Sequence, residues 1–282
     1  MGQRMIVTSS ATMTPSITSE ITVYNDLKRV DITNRLTKKL TYAKEGVYFA
    51  FPFAATKPVI RYEAPDVVMR PDKDMLPGAC LNWFTVQHFV EIDAGNLAVC
   101  WSTPDAPLVC FQDINRGQWQ TTLPMATGHL FAYVMNNYWF TNYLAGQGGD
   151  FRFRFSITSR PQSNVVDSVR AGWNASNPLL AVHVKKNPDG PLTKPFAALI
   201  QIDQPNVIMI GAKQSEVDSS LALRFWELTG KTTRADVHLP LMPMHKATLT
   251  NLVEEPRQAV KIDRTIVHVP VDASGLATVL IE

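Results

Sequence analysis

Two aspartates stand where a carboxylate could act: Asp105, in Trp101-Ser102-Thr103-Pro104-Asp105-Ala106-Pro107, and Asp150, directly after Gly148-Gly149. Cleaving an acetal takes two carboxyls facing one bond, one to protonate the leaving oxygen and one to act as nucleophile or base. Both aspartates equally suit turns, because Asp before Ala-Pro or after Gly-Gly routinely bonds loose backbone groups. Glu91 and Asp93 read as bounding a strand. The six histidines (His88, His129, His183, His238, His245, His268) begin neither a His-x-Asp nor a His-x-x-x-His, so no metal-ligand spacing is present. Neither a Gly-x-Ser-x-Gly elbow nor a Gly-rich phosphate loop appears, which leaves acyl and phosphoryl transfer without an anchor.

The densest polar chemistry lies between residues 136 and 147. Asn136, Asn137 and Asn142 are interleaved with Tyr138, Trp139, Phe140 and Tyr143, and Gln147 follows between glycines. A carboxamide offers two donors and an acceptor, and an aromatic face stacks on the C–H side of a sugar ring or packs a neighbouring domain. The same residues could instead hold turns and fill a core. The candidate binding or interface residues are therefore Asn136, Asn137, Trp139, Asn142, Tyr143, Gln147 and Asp105.

These positions hang on strands. Phe151, Phe153, Phe155 and Ile157 alternate with Arg152, Arg154 and Ser156, the period of a half-buried strand. Alternation also marks Ile21–Val23 and Val30–Ile32, and Val47 to Phe53 reads as a central strand stopped by Pro52. Further strands are expected near Val59–Tyr62, Trp83–Ile92, Leu97–Trp101, Leu108–Phe111 and Leu130–Met135, while residues 7–20 read as loop or frayed edge. From 198 onward seven short strands are expected, at 198–202, 207–210, 221–228, 235–239, 247–252, 265–271 and 277–281. The one helix expected is a connector over Ser163–Trp173, capped by Ser163 and stopped at Gly172. Strands every 8 to 15 residues with little helical period make the chain all-β. Asn187-Pro188-Asp189-Gly190-Pro191 breaks it, so domains are expected over 1–197 and 198–282.

Charge is balanced, with 27 Lys and Arg against 25 Asp and Glu. The basic residues form no run, which points away from nucleic acid and anionic membrane. No stretch approaches the length of a membrane helix. Three cysteines (Cys80, Cys100, Cys110) cannot close a disulfide framework and read as buried free thiols, which suits a reducing, cytoplasmic compartment. Asn174-Ala175-Ser176 is a formal glycosylation sequon.

A resemblance now emerges. The succession Glu45-Gly46-Val47-Tyr48-Phe49-Ala50-Phe51-Pro52-Phe53, Leu76-Pro77-Gly78-Ala79, Thr103-Pro104-Asp105-Ala106-Pro107-Leu108 and Met135 to Tyr143 resembles the C-terminal β region of glycoside hydrolase family 38, the α-mannosidase family. Val207-Ile208-Met209 with Lys213, Leu223-Arg224-Phe225-Trp226-Glu227-Leu228-Thr229-Gly230 and Leu252-Val253-Glu254-Glu255 resemble that family's last β-sandwich. The resemblance implies a galactose-mutarotase-like supersandwich over 1–197 and a smaller sandwich over 198–282. It also implies a retaining parent enzyme whose nucleophile and zinc (or other divalent metal) ligands lie in an N-terminal barrel that these 282 residues do not contain. The chain alone is then expected to be inactive and to hold no cofactor. Its expected partners are that catalytic domain and a mannoside, with no nucleic acid and no membrane. Two other readings stay open: an independent carbohydrate-binding module, which needs an exposed aromatic platform, and a sugar epimerase, for which fold alone is weak warrant.

Overall fold

The structure, a computed structural model, describes residues 2–115, 118–137, 142–185 and 197–282. Two units are distinct, Met1–Pro178 and Leu179–Glu282. The break proposed at Asn187–Pro191 and the aromatic Trp139 lie outside the described residues.

In chain order the first unit contains β1 (Gly2–Ala11), β2 (Thr14–Tyr24), β3 (Arg29–Lys38), β4 (Gly46–Thr56), β5 (Val59–Ala64), β6 (Val67–Met69), β7 (Phe84–Thr85), β8 (Phe89–Asp93), β9 (Ala98–Ser102), β10 (Leu108–Phe111), β11 (Thr127–Asn136), β12 (Gly149–Arg160) and the helix α1 (Val165–Ser176). An eight-stranded sheet runs β1-β2-β3-β12-β9-β8-β5-β6 and a four-stranded sheet runs β4-β11-β10-β7. All pairings are antiparallel. The alternation in β12 does what its period demands: Phe153 and Phe155 are buried while Arg152 is exposed. Phe155 meets Phe51 at 5.0 Å and Trp101 at 5.4 Å between ring centroids, and Phe49 meets both Phe153 and Phe155. Full burial of such a ring is worth about 1.5–3 kcal/mol, so this aromatic seam between the sheets is the main adhesive of the unit.

Four local expectations are corrected. The segment Val47–Phe53 is not a central strand: β4 is at the edge of its sheet and runs on through Pro52, which is paired with His129. Proline lacks the N–H that a two-sided strand needs, so an edge accommodates it. Trp83–Ile92 is two strands, because Val86 N–H donates to Pro107 O at 2.6 Å and Gln87 N–H to Glu63 O at 2.8 Å, carrying the chain from one sheet to the other. The helix cap is Asn164, whose side chain accepts from Asp167 N–H, and the helix continues past Gly172 to Ser176. Residues 7–20 belong to an ordered hairpin, β1 with β2.

The second unit contains β13 (Gln201–Ile202), β14 (Val207–Gln214), β15 (Leu221–Glu227), β16 (Thr233–His238), β17 (Ala247–Thr250), β18 (Pro256–Ala259), β19 (Ile262–Asp263), β20 (Ile266–Val271) and β21 (Leu276–Ile281). Its sheets run β13-β16-β20-β19 and β14-β15-β21-β17-β18. Alternate residues of each inner strand (Leu223 and Phe225; Val267, Val269 and Val271; Ala277, Val279 and Ile281) form one core, as two apposed sheets require. Strands β18 and β19 lack an apolar alternation, and all four residues of β18 are exposed.

Candidate functional site

The polar stretch that follows β11 begins as a clamp. Asn137 is buried, and its carboxamide nitrogen donates to Ala43 O at 2.8 Å and Thr41 O at 3.3 Å. Its carboxamide oxygen accepts from Glu45 N–H at 3.2 Å, and its own N–H donates to Glu45 O at 3.1 Å. All of its hydrogen-bonding capacity in these four bonds goes to residues 41–45. The returning chain presses on the same loop, since a Cβ on Gly146 would lie 2.8 Å from Thr41 O and one on Gly148 would lie 2.9 Å from Leu40 N. Beneath them the buried Lys38 ammonium pairs with the Glu45 carboxylate and donates to Lys39 O. Asn136, Asn142, Tyr143 and Gln147 are on the surface, and 59% of Tyr143 is exposed.

Beside this lip lies the outer face of β2, β3 and β12. The register brings Ser16, Thr37 and Asp150 into one row, Thr18, Arg35 and Arg152 into the next, and Glu20, Thr33 and Arg154 into a third. Strand β9 pairs with β12 only over Ser156–Arg160, and Asp105 takes the edge beyond. Its Oδ2 accepts from Arg154 N–H at 2.9 Å and from Nε at 2.8 Å, while Oδ1 accepts from Nη2 at 2.7 Å. The Arg154 guanidinium holds the Asp105 carboxyl below the usual carboxylate range despite partial burial. Asp105 is therefore an anion at neutral pH and no proton donor. Asp150 accepts from the Thr37 hydroxyl at 2.6 Å.

The deeper carboxylates were not among the candidate residues. Glu91, fully buried, accepts from Arg61 at 3.0 Å, Ser163 at 2.6 Å, Arg160 at 3.1 Å and Ser168 at 2.7 Å, which fastens α1 and its cap region onto the sheet. Glu63 accepts from Trp173 Nε1 at 3.1 Å and sits 2.9 Å from His88 Nδ1. An acidic residue amid a short apolar run, as in Phe89-Val90-Glu91-Ile92, was the available signal, because such a charge stays buried only with partners. In the second unit the fully buried Glu227 carboxylate gathers six donors. Oε1 takes Thr229 N–H, Thr229 Oγ1 and Asn206 Nδ2; Oε2 takes Gly230 N–H, Lys231 N–H and Ser274 N–H. Burial pushes its pKa up, but the six hydrogen bonds outweigh burial and bring it down to about 2.

Among the described residues no group of three or more His, Cys, Asp and Glu side chains could hold a metal ion. Cys80, Cys100 and Cys110 are free thiols, and Cys100 and Cys110 are buried. No helix among the described residues is long and apolar enough to cross a membrane.

Residues 206–274 match the family described as glycosyl hydrolases family 38 C-terminal beta sandwich domain. No curated protein sequence matches the chain. Among solved structures, an alpha-mannosidase from Enterococcus faecalis V583 is similar over 95% of this chain and 29% of its own, with a TM-score of 0.68 and 17% identity. A protein in the glycosyl hydrolase family 38 from Enterococcus faecalis is similar over 95% of this chain and 30% of its own, with a TM-score of 0.71 and 15% identity. At such identities the likeness is one of fold, and the chain spans less than a third of the length of either relative.

Proposed function

Residues 206–274 being a family 38 C-terminal β-sandwich domain, we propose that the chain is the non-catalytic β region of a family 38-like glycoside hydrolase of the α-mannosidase type. In this reading it supports a catalytic domain carried elsewhere in the protein, where the divalent metal is also held, and it frames a carbohydrate substrate. The observation that carries the reading is the length relation, 95% of this chain against 29–30% of two structures about three times as long. The eight-stranded and four-stranded sheets of the first unit are, in the same reading, a galactose-mutarotase-like supersandwich.

Strand β1 supports a docking role. All ten of its residues are exposed, including Met5 at 55%, Ile6 at 58% and Val7 at 43%. Adjacent residues of a strand point to opposite faces, so neither face of β1 is buried, and apolar surface on both sides suits a covering domain. The candidate residues then divide by task. Asn137 and Asp105 shape the lip and the strand edge through the bonds above; Asn136, Asn142, Tyr143 and Gln147, with Trp139, are the groups offered to sugar or to the catalytic domain.

The test is to make the chain and the catalytic region separately and to assay aryl α-mannoside hydrolysis alone and after mixing. Turnover only on mixing, lost with Met5→Asp or Val7→Asp, and a raised KM with Tyr143→Ala or Gln147→Ala, is the expected result. Turnover by the chain alone refutes the reading. Binding of mannosides by the chain alone, with no association on mixing, makes it an independent carbohydrate-binding module.

A further inference from the structure

The row Thr18, Arg35 and Arg152 on the outer sheet face is unusual in its charges. Arg35 and Arg152 are direct cross-strand partners in the β3–β12 register, which sets their Cβ atoms about 5 Å apart. Like charges in that position destabilise a sheet. Six other arginines of the unit, at positions 4, 29, 61, 70, 154 and 160, each close an ion pair with a carboxylate. Arg35 and Arg152 form neither an ion pair nor a hydrogen bond among the described residues. Of the acids on this face, Glu20 pairs with Arg4, Asp105 is held by both arms of Arg154 and feels Arg152 only through space, and Asp150 accepts from the Thr37 hydroxyl.

The pair borders an open depression of about 340 Å3, which Ser16, Thr18, Thr37 and Asp150 also line. That volume lies within the range of about 300–1,000 Å3 that holds small ligands. Two guanidiniums offer ten N–H donors and no acceptor, a match for an oxyanion bound in forked geometry. The adjoining row, Ser16, Thr37 and Asp150, offers hydroxyls and one carboxylate, which accept hydrogen bonds from a polyol and repel a second anion.

We propose that this depression is a binding site for an acidic sugar, whose phosphate or carboxylate group sits between Arg35 and Arg152 and whose hydroxyls meet Thr37 and Asp150. The inference stands on the face itself and does not rest on the proposed role of the chain in a larger enzyme. Phosphate and carboxylate share the oxyanion chemistry, and the probes separate them.

Calorimetric titration of the 282-residue chain with glucose 6-phosphate, glucuronate, inorganic phosphate and neutral glucose is the test. Either sugar acid should bind more tightly than glucose and than bare phosphate, and the tighter of the two identifies the charged group. Arg35→Gln and Arg152→Gln should each weaken it by about tenfold, as expected for loss of a charge-assisted fork. Asp150→Asn should bring bare phosphate closer to the sugar acid in affinity. In the absence of ligand, both arginine variants should melt no lower than the wild type, since removing one of two opposed charges relieves repulsion. The proposal is overturned by glucose binding as well as its acids, by undiminished binding in both arginine variants, by bare phosphate matching both sugar acids, or by no binding at millimolar concentration. A lower melting temperature in Arg35→Gln and Arg152→Gln also overturns it, because the pair would then be structural.

Discussion

Replacing Glu227 by Gln isolates the energetic role of one carboxylate. Each Glu227 oxygen accepts three hydrogen bonds, so a carboxamide in either orientation sets its NH2 group against donors. A carboxyl that titrates at about 2 in the folded chain and at its ordinary 4.5 when unfolded contributes ~3 kcal/mol at neutral pH, since a tenfold change in proton affinity is worth ~1.4 kcal/mol. The direction with pH follows from the depressed value. The contribution is complete above about pH 5.5, shrinks as pH falls through 4.5, and is gone below about 2. Hydrogen exchange of the β15, β20 and β21 amides reads the second unit without assuming that both units unfold together. At pH 7 those amides should open ~3 kcal/mol more easily in Glu227→Gln, and the difference from wild type should close on acidification. A difference under about 1 kcal/mol at pH 7, or one unchanged between pH 7 and 3, would refute the account of Glu227 as the organiser of the 229–231 and 274 turns.

Glu91→Gln leaves Arg61 and Arg160 facing a carboxamide in a buried site, and the first unit should lose about 3–5 kcal/mol, read as a lower melting temperature with faster exchange in α1. Asn137→Ala removes three side-chain hydrogen bonds at about 1 kcal/mol each. Limited proteolysis should then cut first within 39–45, while unfolding of the second unit is unchanged. Burial pushes the thiols of Cys100 and Cys110 up to about 11, so at pH 8 only about one in a thousand is thiolate. Iodoacetamide should therefore modify Cys80 alone in the native chain and all three in urea, as counted by mass spectrometry.

Much of this architecture was legible from period alone. The alternation of Phe151, Phe153 and Phe155 predicts a half-buried strand, and the aromatic seam follows from it. All seven strands expected after residue 198 have counterparts, because in each the core residues alternate. Period fails where backbone bonding rather than side-chain burial makes a strand: β18 exposes all four residues, and β1 exposes all ten. It also misplaces Pro52, since an aromatic run reads as central until the missing N–H is weighed. The candidate residues were visible as types, not as partners. Nothing in the spacing of Asn137 and residues 41–45, or of Asp105 and Arg154, says that they meet, because each pair is brought together by sheet register across 49 or more residues. The opposition of Arg35 to Arg152 needs that register too.

The position of β12 has a consequence for biosynthesis. In the eight-stranded sheet, β12 alone joins β3 to β9, so the β1–β2–β3 meander has no neighbour on its β3 side until Gly149 to Arg160 have been made. About 110 residues separate Lys38 from Gly149, which at ribosomal rates is roughly 5–20 s of synthesis. Throughout that interval β3 presents an unpaired edge with Ile32 and Leu36 on its inward face, a template for pairing with another nascent chain. Polysomes bring such chains close together. Truncation anywhere between residues 40 and 148 should therefore yield aggregates rather than a smaller folded domain, and the demand for chaperones during translation should fall only once β12 has emerged.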